Sequence, residues 1–251
     1  MLGFDPAHLA IIAFVFLLAG TVKGTIGIGL PTIAIAILTA LIGLREAIVL
    51  ALVPSFTSNV WQAVGGGQAI ALVRRLWPLL LPAVMTVWIG ALALTHASLD
   101  LLSAVLGIAL TFYAGADLLG LRFTVDRRME RWAGPLVGAA NGVLTGMTGS
   151  YVVPGVMFLA AIGLDRHALV QAMGILFTAS TIALFLVLGD GGLLSPDRLA
   201  LSALALIPTL VGMAVGWRMR AMLSETAFRR TTMVALATLG IYLVGRALVI
   251  L

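Results

Sequence analysis

Cysteine is absent from the 251 residues, which excludes disulfides and thiolate-held metals. Charge is scarce as well: Asp, Glu, Lys and Arg make up 10% of the chain, against about 25% in ordinary soluble domains. There is a single lysine, Lys23, and no acidic residue falls in the middle of an apolar run. No set of His, Asp and Glu has metal-ligand spacing, and no serine–histidine pairing suggests nucleophilic catalysis. Neither an enzyme nor a cofactor is therefore expected. The start, MLGFDPAHLA, has no basic segment ahead of the first apolar run, so that run reads as a retained span rather than a cleaved signal peptide.

What remains is hydrocarbon. Apolar residues form 61% of the chain, more than a water-soluble fold can hide, so lipid is the expected solvent. Glycine is plentiful at 28 residues and recurs at four-residue spacing in Gly20/Gly24, Gly138/Gly142/Gly146 and Gly212/Gly216. That spacing lets helix backbones approach closely inside a membrane. The net charge of +5 sits in short loops with no basic helix face, which argues for membrane orientation and against nucleic acid. The tryptophans mostly fall near span ends, where an interfacial belt is expected.

Apolar segments run at about 7–43, 46–62, 76–95, 98–121, 133–163, 166–188, 198–217 and 227–250. The first and fifth exceed the roughly 20 residues one crossing needs. Each is interrupted by glycines and then a proline, at Lys23–Pro31 and at Thr145–Pro154, and each reads as two short helices joined by irregular backbone. Gly24-x-x-Gly27 matches Gly146-x-x-Gly149 at an offset of 122, Ile42-Gly43-Leu44 matches Ile162-Gly163-Leu164 at 120, and Phe56-Thr57 matches Phe177-Thr178 at 121. The order is that of an internal duplication, with residues 1–125 as the first repeat and 126–251 as the second. The segment 122–131 is the junction between them.

Arginines test the number of passes. If each broken segment turns back, Arg74, Arg75, Arg122, Arg127, Arg128, Arg131, Arg166, Arg218, Arg220, Arg229 and Arg230 share one face, against Arg45 and Arg198 opposite. If each crosses once, the division is nearly even. The biased solution gives an all-α polytopic membrane protein of two inverted repeats, about five helical passes each, with both termini on the non-cytoplasmic side. Full crossings and re-entrant hairpins share this parity.

Matched broken helices point to a transport site, because they free backbone N–H and C=O groups where a substrate can use them. Helix starts near Thr32 and Pro154 would offer positive dipole ends to an anion. The substrate-binding candidates are Lys23, Gly24, Thr25, Gly27, Gly29 and Thr32 at the first break, and Thr145, Gly146, Thr148, Gly149, Ser150 and Tyr151 at the second. Ser58, Asn59 and Gln62 join them from the helix after the first break, and Thr178 and Thr181 from its counterpart. Two readings of Lys23 stand: its ammonium neutralises an anionic substrate, or it snorkels at the cytoplasmic surface. The hydroxyls can equally bond their own helix backbone, and the glycines can serve packing alone.

The stretches KGTIGIGLPT, VPSFTSNVWQA, TGMTGSYVVPG and LVQAMGILFTASTIAL, in this order over nearly the whole chain, resemble the sulfite exporter TauE/SafE family. The first break lacks the triple glycine of the commoner form, as in a divergent branch. The resemblance implies a secondary transporter in the bacterial inner membrane. It would carry sulfite, sulfonates or related organic anions outward by alternating access, with the anion held between the breaks. The expected partners are the small anion and the lipid bilayer, and a homo-oligomer is compatible with both. A channel-like anion pore and a membrane scaffold subunit are the competing readings.

Overall fold

A computed structural model describes residues 5–121, 123–220, 222 and 224–250. The described chain is helical: α1 (Pro6–Ile26), α2 (Leu30–Ile42), α3 (Leu44–Val64), α4 (Ala69–Met85), α5 (Val87–His96), α6 (Leu99–Leu118), α7 (Arg127–Thr148), α8 (Gly155–Ala161), α9 (Arg166–Asp190), α10 (Pro196–Leu204), α11 (Leu206–Met219) and α12 (Glu225–Ile250). Counting α4–α5 and α10–α11 as one stretch each, every sequence half holds five. Among the described residues, seven stretches are long and apolar enough to cross a bilayer. This is a multi-pass membrane protein.

Both interruptions are present but narrower than the sequence suggests. Helix α1 continues through Lys23, Gly24 and Thr25, and ends at Gly27, whose φ of 89° is the left-handed conformation glycine adopts without strain. Helix α7 likewise carries Thr145, Gly146 and Thr148 and ends at Gly149, with φ 69°. Each first piece is therefore long enough to cross by itself, at 21 and 22 residues. The second pieces are short: the seven residues of α8 rise only about 10 Å. The junction is shorter too, because α7 already begins at Arg127 behind the N-cap Asp126. Arg122 lies outside the described residues.

Two compact units form, each drawing on both sequence halves. One comprises Met1–Pro54, Leu99–Leu119 and Gly192–Leu251. Within it α1 lies on α11 by reciprocal glycine contacts. A Cβ on Gly20 or Gly24 would strike the carbonyl oxygen of Thr209 or Met213, and one on Gly212 or Gly216 would strike that of Leu17 or Thr21. Residue numbers rise together along both helices, so α1 and α11 run parallel. On α6 and α12 the order reverses: Gly107 meets Leu243 and Val244 while Thr111 meets Gly240, and an Asp117–Arg229 ion pair holds the other end. These two helices run antiparallel.

The same unit shows how an internal proline is accommodated. Pro54 in α3 has no N–H for the Leu50 carbonyl four residues back. The Ser202 hydroxyl of α10 donates to that carbonyl at 2.9 Å, and accepts from Val53 N–H at 3.1 Å. A backbone acceptor that lipid cannot satisfy is satisfied by a side chain.

The other unit comprises Ser55–Ser98 and Gly120–Gly191. Gly138, Gly142 and Gly146 of α7 face the carbonyls of Leu79, Ala83 and Val87, again in parallel order along α4 and α5. Thr86, between α4 and α5, lies 2.8 Å from both the Pro82 and the Ala139 carbonyls. Gln171 of α9 spans the turn after α3: its amide donates to the Ala63 carbonyl at 2.7 Å, and its oxygen accepts from Gln68 N–H at 3.0 Å. Arg75 donates twice to Glu130, at 2.9 Å each, and also to the Ile162 carbonyl.

Candidate functional site

In the first unit the break is three residues, Gly27-Ile28-Gly29. Gly29, with φ 103°, is the N-cap of α2, and no side chain caps that helix. Pro31 lacks an N–H, so Leu30 and Thr32 carry the free amides of the first turn. The Thr32 hydroxyl is buried with no hydrogen-bond partner among the described residues. Lys23, in the last turn of α1, is 4% exposed. A side chain so enclosed does not snorkel to a surface.

Gly24 and Thr25 have structural work instead. Gly24 is pressed against Met213, and the Thr25 hydroxyl lies 2.8 Å from the Thr21 carbonyl and 3.1 Å from that of Gly216. Both are fixed in the α1–α11 contact, as is Gly146 against α5 in the second unit.

The second unit brings together most of the remaining candidates. The Thr145 hydroxyl donates to the Ser150 carbonyl at 3.2 Å, tying the helix end to the break. The Thr148 hydroxyl donates to Leu144 at 2.7 Å and accepts from Ser150 N–H at 3.3 Å. Tyr151 is fully buried, its ring 5.7 Å from that of Phe177 and its phenol facing Thr181. Thr178 and Thr181 donate their hydroxyl protons to Gly174 and Phe177 carbonyls at 2.7 and 2.6 Å. Ser58 donates to the Ser55 carbonyl at 3.1 Å, Asn59 is fully buried and Gln62 is half-buried.

An anion needs donors, and a hydroxyl that already donates to backbone can only accept. Thr145, Thr148, Thr178 and Thr181 each spend the hydroxyl proton on a backbone carbonyl. The unspent donors are others. Asn141, 0% exposed on α7, accepts from Gly155 N–H at 2.9 Å, and its amide nitrogen has no partner among the described residues. Ser55 and Ser180 hydroxyls are likewise buried and unpartnered. Asn141 escapes a reading of the sequence because it sits inside GAANG, a stretch that looks like packing. The signal was present, since an amide in lipid is as expensive there as at Asn59. No group of three or more His, Cys, Asp or Glu that could hold a metal occurs among the described residues.

The assembled features are a multi-pass membrane chain, two glycine-capped breaks, a buried lysine and buried amides. Comparison with curated proteins and with solved structures gives no match. The family model of the sulfite exporter TauE/SafE matches residues 12–243, nearly the whole chain. A match of that extent shows that the chain belongs to the sulfite exporter TauE/SafE family.

Proposed function

We propose that this chain is a secondary transporter that exports a small anion, sulfite, a sulfonate or a related organic anion, by alternating access. The observation that carries the reading is the burial of its single lysine one turn before a glycine break. A basic side chain held inside the membrane beside a helix break is placed where a transported anion can meet it. Within the first unit, the free amides of Leu30 and Thr32 and the Thr32 hydroxyl are the neutral donors at that break; the second unit holds, separately, the amide of Asn141 and the hydroxyls of Ser55 and Ser180. They suit a compact oxyanion better than a cation.

The halves 1–125 and 126–251 are proposed to be inverted repeats with both termini outside the cytoplasm. Helix direction supports this. Ten passes make α6 the fifth and α12 the tenth, hence antiparallel, as their contacts require. Eight passes would make the same two helices parallel. The parallel pairing of α1 with α11, and of α7 with α4 and α5, fits the ten-pass count as well.

Counterflow of radiolabelled sulfite in proteoliposomes is the test. Uptake should saturate with sulfite and be competed by a sulfonate. Lys23→Gln should weaken apparent affinity at least tenfold while Lys23→Arg retains part of it. Linear flux would replace the carrier with a pore, and unchanged affinity in Lys23→Gln would remove the lysine from the site.

A further inference from the structure

A pocket of about 960 Å³ lies within the second unit, between α4 and the first turns of α7, and no residue of that unit's break lines it. Four arginines line it, Arg74, Arg75, Arg127 and Arg131, with Glu130 the one carboxylate. Glu130 is committed: both its oxygens are taken by Arg75. Among the described residues, Arg74, Arg127 and Arg131 are in no ion pair, so three uncompensated cations converge on one concavity. Arginines that merely orient a membrane protein project singly into solvent; these share a cavity.

The rest of the wall is apolar. Trp77 and Leu81, one turn apart on α4, are 59% and 52% exposed, and proline rings complete the lining. Indoles beside arginines mark the depth where hydrocarbon gives way to headgroups. A free anion would gain nothing from the apolar wall. A molecule with an anionic head and a hydrocarbon tail uses both, and the volume matches that of ordinary ligand cavities. By the arginine count this face is cytoplasmic, where basic pockets between helices take anionic lipid headgroups.

We propose that this pocket is a binding site for an anionic phospholipid. The headgroup phosphate is held by Arg74, Arg127 and Arg131, and an acyl chain lies along Trp77 and Leu81. The Arg75–Glu130 pair shapes the floor by holding α4 to α7. The site is independent of the transported anion.

The test uses full-length protein in neutral detergent, titrated with dioleoylphosphatidylglycerol, dioleoylphosphatidylcholine or soluble glycerol 3-phosphate. Native mass spectrometry and the thermal midpoint are the readouts. One phosphatidylglycerol should be retained with a raised midpoint, while phosphatidylcholine and glycerol 3-phosphate leave both unchanged. The triple variant Arg74→Gln, Arg127→Gln, Arg131→Gln should bind that lipid more weakly, by roughly fivefold per arginine removed. Equal retention of the two lipids, or full retention by the triple variant, overturns the site. A midpoint shift with glycerol 3-phosphate matching that of the lipid overturns the lipid in favour of a free anion. Should the triple variant fail to fold, Arg127→Gln alone decides: weaker retention supports the site, and unchanged retention overturns it.

Discussion

Single residues here are best understood by asking which hydrogen-bonding capacity is already spent. The Ser202 hydroxyl takes over the Leu50 carbonyl that Pro54 cannot serve. Removing it orphans a backbone acceptor, so Ser202→Ala is expected to cost about 1–3 kcal/mol, read as a lower thermal midpoint in detergent. Adding Pro54→Ala restores an N–H to α3, and the double variant should recover much of that loss. The same accounting separates two candidates at the second break. Thr178 spends its proton on Gly174, so Thr178→Val should leave sulfite affinity within about twofold. Asn141 has an amide in reserve, and Asn141→Ala should weaken apparent affinity at least tenfold in the counterflow assay. Asn141→Ala with wild-type affinity would exclude that amide from the site.

Between elements, the glycines divide into two kinds that the sequence alone does not distinguish. Gly20, Gly24, Gly212 and Gly216 are pressed against backbone, where a methyl group has nowhere to go. Gly24→Ala and Gly212→Ala should each destabilise by about 1–3 kcal/mol, the cost of forced separation in a packed contact. Gly115 and Gly245 face open space in helices, and alanine there should be neutral or stabilise by up to about 1 kcal/mol. Thermal midpoints of the four variants check the division. The four-residue spacing made the packing role of Gly20 and Gly24 legible, because small residues at that interval have one common use in membranes. It did not place Lys23 and Gly24 inside a helix. A glycine buried against a neighbour does not break α1, and only the partner, α11, reveals that.

For the molecule as a whole, hydropathy made the spans legible, and the arginine bias preferred ten passes to eight. The lengths of α2 and α8 were not legible, since apolar residues look alike on either side of a break. The mingling of both halves in each unit was hidden for a different reason: contacts so distant along the chain leave no local pattern. The cysteine-free background makes the pass count testable. Ser98→Cys and Gly191→Cys should react with an impermeant maleimide from one side of sealed vesicles, and Thr124→Cys only from the other. Labelling of Ser98→Cys and Gly191→Cys from opposite sides would restore the eight-pass count.

The pairing of α1 with α11 also bears on how the chain is made. Helix α1 leaves the ribosome well before α11, the helix starting at Leu206 whose backbone its glycines meet. At about 5–20 residues per second, synthesis separates the two by roughly ten to forty seconds. Through that interval the glycine face of nascent α1 must be sheltered by lipid or by the insertion machinery.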